Sequence, residues 1–415
     1  LELTQDWAKT LGPLCQGPEQ KKALQAFMHL GLPDQHLESW AFTKTFGALS
    51  AMKPVYATTM PVARASTLQG RFGITLQDGR VTECILPPDI SFHFNFHKTS
   101  DEKDDSSIFI NGLDTLHDIS PEAQTVLITA KTKGDIKETL FVYILESENS
   151  AGTITPTSLK FELAPHCQID LIFITTNVSG PGLSLSHVEL CLEENAQANV
   201  AIVAKASTDH LTFHRWQAFL KRDSQLRSVV LTAGAQPSRH EFEAHLLETG
   251  ASATLQGLYL LGQRQHADIN TIIHHKAPHT TSSQLFKAVV KDEAYGIYTG
   301  KVVIHPGCPG SNAGQKAFGT LLGQHAHFST RPQLEVYNDD VKCGHGAAIG
   351  QLNEDESFYL TSRGISPERT RQILLQAFVA EIVENFPVAL ATIELKQAVQ
   401  NYFQDYFQTM PGGLA

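Results

Sequence analysis

The segment LEVYNDDVKCGHGAAIG, Leu334 to Gly350, places one of the chain's six cysteines two residues before a histidine, just after an Asn-Asp-Asp turn. A thiolate is a soft ligand suited to iron–sulfur species, and an imidazole can complete or release such a site. If Val341 to His345 is a strand, Val341, Cys343 and His345 share one face, with thiol and imidazole about 7 Å apart. Two groups so far apart do not comfortably chelate one ion, but they can share a site with ligands from a facing chain. The same spacing fits a small buried hydrophobe at Cys343 and a polar rim residue at His345, and spacing alone favours that plainer reading.

Other chemically suggestive patterns fail on geometry. HEFEAH separates His240 and His245 by five residues, whereas a zinc-protease helix needs four to bring both imidazoles to one face. GSNAGQK contains Lys316 but lacks the glycine spacing that wraps phosphates, and no hydroxyl follows the lysine to hold Mg²⁺, so the chain is not expected to hydrolyse ATP. Neither a G-x-S-x-G elbow nor a strand-anchored G-x-G-x-x-G loop occurs. Among nineteen histidines, the pairs His325/His327 and His274/His275 read first as surface or hydrogen-bonded residues.

The chain has 415 residues, 42% of them hydrophobic and 18% charged, which is a globular composition too large for one compact core of ordinary shape. A net charge of −11 opposes broad binding to nucleic acid or anionic lipid. No apolar run is long enough to span a membrane, and the start of the chain has neither a basic nor an apolar leader-like region. The cysteines are scattered, with no C-x-x-C pair. This pattern points to a reduced, cytoplasmic setting.

The elements that must position the Cys-x-His pair follow from periodicity. GPEQKKALQAFMHLGLP reads as a helix with Ala23, Leu24, Phe27 and Leu30 near one face, stopped by Gly31 and Pro33. From about Gly70 short apolar runs alternate with polar corners, which is strand texture. Four stretches, LAPHCQIDLIFI from Leu163, LEENAQANVAIV from Leu192, LKRDSQLRSVVL from Leu220 and LETGASATLQGL from Leu247, repeat at a solenoid period and contain no helical stripe. The expected fold is mainly β: a right-handed parallel β-helix core over residues 70–350, flanked by helical segments over 1–69 and 351–415. A β-sandwich with long hairpins is the alternative. In the tail, Ser366, Pro367 and Glu368 form a helix start, and two helices there are expected to cap the open end of the β-helix and offer a docking surface.

RPQLEVYNDDVKCGHGAAIGQLNEDESFYLTSRGI, Arg331 to Ile365, closely resembles the signature of the SufB/SufD family of iron–sulfur cluster assembly proteins. GLPDQHLESWAFT resembles that family's P-x-x-x-x-E-x-W element through Pro33, Glu38 and Trp40, with Ala41 where relatives carry Lys or Arg. Length and the N-terminal element resemble the SufD branch rather than the longer SufB branch. The resemblance implies a non-catalytic scaffold that pairs with SufB through β-helix ends and docks SufC, an ABC-type ATPase, through its C-terminal helices. His345 would serve a transient iron–sulfur cluster shared with SufB, with no cofactor tightly bound; for Cys343 a ligand role and a packing role stay balanced. ATP-driven closure of SufC would pull on those helices and open the interface. Tyr359 and Arg363 are expected partner contacts. Ile373, Leu374, Ala377 and Phe378 either face SufC or pack on the β-helix.

Two rival classes fit the same residues less well. A β-helix enzyme acting on polysaccharide needs paired carboxylates on adjacent coils, and none recurs in register across the aligned repeats. A stand-alone homodimeric metal-binding protein would use the histidines and bind metal alone. Homodimerisation of the isolated chain is compatible with the scaffold too, because an exposed β-helix end seeks a partner strand.

Overall fold

Polar corners break the apolar runs so regularly that each coil takes roughly 27–30 residues and contributes one strand to each of two facing sheets. The computed structural model describes residues 2–33, 40, 49, 52, 54–56, 67–88, 90–95, 116, 119–120, 125–130, 134–147, 152–177, 182–206, 210–234 and 237–408. The strands are β1 (Gly73–Gln77), β2 (Arg80–Ile85), β3 (Ile90–Asn95), β4 (Thr125–Ala130), β5 (Gly134–Glu146), β6 (Ile154–Leu163), β7 (Cys167–Asn177), β8 (Gly182–Leu192), β9 (Gln197–Ala206) and β10 (His210–Leu220). They continue as β11 (Gln225–Gly234), β12 (Ser238–Leu246), β13 (Ser252–Leu261), β14 (His266–His275), β15 (Thr281–Val290), β16 (Tyr295–Ile304), β17 (Ser311–Leu321), β18 (His327–Val336) and β19 (Val341–Gly350). Sheet A runs β18-β16-β14-β12-β10-β8-β6-β4-β3, and sheet B runs β19-β17-β15-β13-β11-β9-β7-β5-β1-β2. Neighbours are parallel except β1 with β2 and β3 with β4. The parallel β-helix expectation holds.

Strand alternation turns one set of side chains inward, where each packs on its counterpart in the next coil. Val188, Trp216 and Phe242 are register partners, and the Trp216 and Phe242 rings stack with centroids 5.8 Å apart. The corners need a left-handed residue. His166, Asn195, Asp223 and His279 all have φ between 56° and 64°, and each is followed by a small or short side chain at 0% exposure: Cys167, Ala196, Ser224 and Thr280. Gly250 takes the same role at φ 78°; a Cβ there would lie 1.9 Å from Asp223 Oδ1 of the preceding corner. Cys167 is thus a corner-filling thiol.

The leading leucines stack as read from sequence for Leu163, Leu192 and Leu220, but the fourth partner is Leu246 and not Leu247. The corner after Leu246 is one residue longer, because Gln225 pairs with Ser252. An alignment anchored on leucine absorbs that extra residue on the wrong side.

Helices α1 (Glu2–Leu11) and α2 (Pro18–Leu30) bury Trp7, Leu11 and Phe27 with Leu183, Leu185, Leu211 and Phe213 on the outer face of sheet A. At the other end of the chain are α3 (Glu354–Ser362), α4 (Pro367–Glu384) and α5 (Ala389–Gln408). The last two do not cap the solenoid end, contrary to the sequence expectation. Leu375, Val379, Ile382, Leu395, Val399 and Phe403 instead pack on Ile172, Val203, Leu231, Leu258 and Val289, the outer face of sheet B. That face offers a flat apolar surface several strands wide, far more than a coil end supplies. Lys291 Nζ pairs with Asp405 at 3.0 Å, and Tyr402 Oη donates to the Leu261 carbonyl at 2.8 Å, fixing α5 in place.

Inside the solenoid, the His214 ring stacks on His240 at 4.9 Å, and His275 bonds Thr280 and Ser282 hydroxyls, each at 2.8 Å. Burial lowers the pKa of both His214 and His275 to about 4. Between pH 6.5 and 4 the unfolded chain therefore binds more protons than the fold, and stability should fall as pH drops through that window. At roughly 1.4 kcal/mol per pKa unit, each ring accounts for about 2–3 kcal/mol of the decline. Urea midpoints measured from pH 7 to 4 should decline less steeply in His214→Asn than in wild type; an equal slope in both would refute a neutral buried ring.

Candidate functional site at the open end of the solenoid

Val341, Lys342 and Cys343 begin the final strand after the Asn338-Asp339-Asp340 corner, and β19 lies at the margin of sheet B as β18 does of sheet A. Each of these two strands has one ladder neighbour, so the last coil is the mouth of the solenoid. An edge strand offers a row of backbone donors and acceptors to whatever meets it. The strand assumed from sequence is present. Val341 and Cys343 pack at the margin of the interior core, so alternation directs His345 toward the same interior side. Cys343 is half-buried and His345 exposed.

The register defines what lies beneath the pair. Cys343 stacks over Ala313, and His345 over Gln315, which in turn stacks over Gln284 and Leu255. Gln284 Oε1 accepts from Thr271 Oγ1 at 2.5 Å and from Tyr298 Oη at 2.9 Å. Gln315 is 1% exposed, and among the described residues neither its Oε1 nor its Nε2 has a hydrogen-bond partner. A polar column therefore rises through the apolar interior to the imidazole at the mouth. Desolvation raises the Cys343 thiol pKa, opposed by a hydrogen bond at the Ala313 backbone. Cys343 is thus a protonated thiol at neutral pH, and binding soft metal there would have to displace its proton.

The remaining sequence candidates fall elsewhere. Helix α3 is capped by Asn353, whose Oδ1 accepts from the backbone of Asp355 and Glu356, and it buries no side chain. Tyr359 is 55% exposed, and the Arg363 guanidinium lies 4.5 Å from its ring centroid. Ile373 on α4 is half-buried. Phe378 packs against the cluster on sheet B, with Lys287 Nζ 4.9 Å from its ring centroid. GSNAGQK belongs largely to extended β17, a shape that cannot wrap a phosphate. In β12, the odd separation of His240 and His245 puts them on opposite faces: His240 stacks inward on His214, and His245 lies outside with Glu243. Trp40 stacks on Phe213 at 5.7 Å and covers the Arg239 guanidinium at 3.9 Å. Glu38 and Ala41 lie outside the described residues. Gln315 and Gln284 were not singled out from sequence; only counting register from coil to coil places them beneath His345.

Coils, flanking helices and an open end define a parallel β-solenoid with a Cys-x-His strand on its last coil. Residues 144–378, more than half the chain, match the family described as "SUF system FeS cluster assembly, SufBD core domain", and the chain belongs to that family. It is 25% identical over 434 aligned residues to the iron–sulfur cluster assembly protein SufD of Escherichia coli, a match covering 96% of this chain and 94% of that protein. An iron–sulfur cluster assembly SufBD family protein of Synechocystis is 33% identical over 211 residues, 51% of this chain and 47% of the relative. The chloroplastic protein ABCI7 of Arabidopsis thaliana is 31% identical over 205 residues, 48% of this chain and 42% of the relative. The matched region spans about half the length of the last two.

The site's polar groups are not placed for stability. Replacing an exposed imidazole removes little packing, and replacing a buried amide that lacks partners with an apolar group of similar size is neutral or favourable. By thermal melting, His345→Ala should stay within about 0.5 kcal/mol of wild type and Gln315→Leu should match or exceed it. A loss of 2 kcal/mol or more in Gln315→Leu would show that the amide is bonded in solution.

Proposed function

We propose that the chain is a non-catalytic scaffold subunit of an iron–sulfur cluster assembly complex, pairing with SufB at the open end of its solenoid and docking the SufC ATPase through its C-terminal helices. The observation that carries the reading is His345 on the interior side of an exposed edge strand. An imidazole there faces across the mouth toward whatever chain pairs with β18 and β19. The nascent cluster is the cargo, held transiently between the two chains, with Cys343 as a second ligand or as packing beside it.

Exposed Phe358 and Tyr359 on α3, with exposed Arg363 at its C-cap, support docking near the same end. Helix α4 follows directly and is packed onto sheet B, so force applied to α3 is transmitted to the solenoid wall. ATP-driven closure of SufC would shift the coil end and admit iron and sulfur. Membership of an assembly family and the edge-strand geometry favour this over a stand-alone metal-binding homodimer, although without SufB the same edge can pair two copies. Among the described residues no helix is long and apolar enough to cross a membrane, and the cytoplasm is the proposed compartment.

Reconstitution with SufB and SufC tests the proposal. His345→Ala should assemble normally yet form at least several-fold less cluster, read by visible absorption and acid-labile sulfide. Normal cluster formation by both His345→Ala and Cys343→Ala would reduce the segment to packing and leave only the docking role. Alanine replacement of both Tyr359 and Arg363 should weaken SufC binding by tenfold or more in calorimetry, with SufB pairing retained. Unchanged SufC affinity would remove α3 from the interface.

A further inference from the structure

On the outer face of sheet A, where β14 is the third strand and β12 the fourth from the open edge, Glu243 and His245 of β12 meet His274 of β14. Alternation puts Glu243 and His245 on one face two residues apart, and the register pairs His245 with His274. One ligand atom from each lies within 4.8 Å of the others. Side-chain exposure is 0% for Glu243, 1% for His245 and 4% for His274.

The distances discriminate between a hydrogen-bonded cluster and a coordinating one. Glu243 Oε1 lies 3.5 Å from His245 Nε2 and 3.4 Å from His274 Nε2. Both exceed the 2.7–3.2 Å usual for N–H···O bonds, and His274 Nε2 makes no hydrogen bond among the described residues. Ligand atoms each about 2.0–2.1 Å from a tetrahedral ion lie roughly 3.4 Å apart, the separation found on these two edges. The third edge, between the two imidazoles, is within 4.8 Å, and the rings, parallel in this structure, swing out of their stack to converge on one ion.

The surroundings bring the groups together. Phe219, His245 and His274 form a stack with centroids 5.0 and 4.9 Å apart and planes within 4°. His274 Nδ1 is 3.1 Å from His305 Nε2, an outer contact that can fix the tautomer leaving Nε2 as the ligand. The other carboxylate oxygen, Oε2, accepts from Gln217 Nε2 at 3.3 Å and lies 3.6 Å from Arg215 Nη2, so Oε1 is the atom directed at the rings.

We propose that Glu243, His245 and His274 bind one divalent first-row transition ion of the zinc or ferrous class, clipping adjacent coils together. Two imidazoles and a carboxylate suit such ions. A cluster is disfavoured because the thiol on this ladder, Cys191, lies beyond Phe219 from His245 and is pushed up to about 12 by burial and by Glu189. The site is separate from His345, which is on the other sheet and inward-facing.

The full chain, unfolded in chelator and refolded with excess Co²⁺, should retain about one equivalent after gel filtration and show visible d–d bands. His345→Ala should do the same. Glu243→Gln, close in shape, and His274→Ala should each retain less than a fifth of that while keeping wild-type circular dichroism. Wild-type protein that refolds yet holds no Co²⁺ would overturn the proposal, as would variants that keep the full equivalent. Should either variant fail to fold, His245→Gln replaces it under the same criterion, and the wild-type bands should vanish when Zn²⁺ displaces Co²⁺, since Zn²⁺ has no d–d transitions.

Discussion

In-register stacking is the constraint on which the molecule depends. A coil of two short strands cannot bury its own inward side chains; it buries them only against the coils above and below. Every side chain's phase must therefore be preserved from one coil to the next, since a slip of one residue would exchange the inner and outer faces. The corners protect that phase. A left-handed residue turns the chain, and a small buried side chain after it lets the next strand start close to the wall, as Asn195-Ala196 and Asp223-Ser224 do.

Stacking also fixes where chemistry can be. Interior coils spend their backbone groups on two neighbours, while β18 and β19 have one each. β2 and β3 end the sheets at the opposite end, so a partner strand or a second copy joins at an end of the stack, and His345 and Cys343 sit at the β18/β19 end. The flanking helices leave this end open because their apolar faces match the two sheet surfaces. Trp7, Phe27 and Trp40 belong to the cover of sheet A, and Val379, Leu395 and Phe403 to that of sheet B.

Much of this was legible in the sequence. The period, the absence of helical stripes in the four aligned repeats, and the Ser366-Pro367 helix start carry their own physics, and the Cys-x-His strand follows from alternation. Three things were not legible. The destination of α4 and α5 depends on the width of a sheet surface that no local pattern reveals. The role of Gln315 depends on register across a corner whose length varies, the same uncertainty that exchanged Leu246 for Leu247. HEFEAH was tested against helical spacing and rejected; in a strand its relevant pair is Glu243 with His245, and the third member, His274, arrives from the next coil. The family resemblance is carried by local signatures, Arg331 to Ile365 and the Pro33-Glu38-Trp40 element, and membership by the match over residues 144–378.

The corners have an evolutionary consequence. The leucine-to-strand interval grows from the coil after Leu220 to the coil after Leu246, and grows again through Pro306-Gly307-Cys308-Pro309-Gly310, without disturbing the ladders on either side. Insertions and deletions can thus collect at the rim while the wall keeps its phase. The alignment with the Escherichia coli relative, 434 positions against a chain of 415, must contain gaps, yet it runs nearly end to end at 25% identity. A solenoid built this way can lengthen or shorten its rim and still deliver its own last coil's thiol and imidazole to the same place.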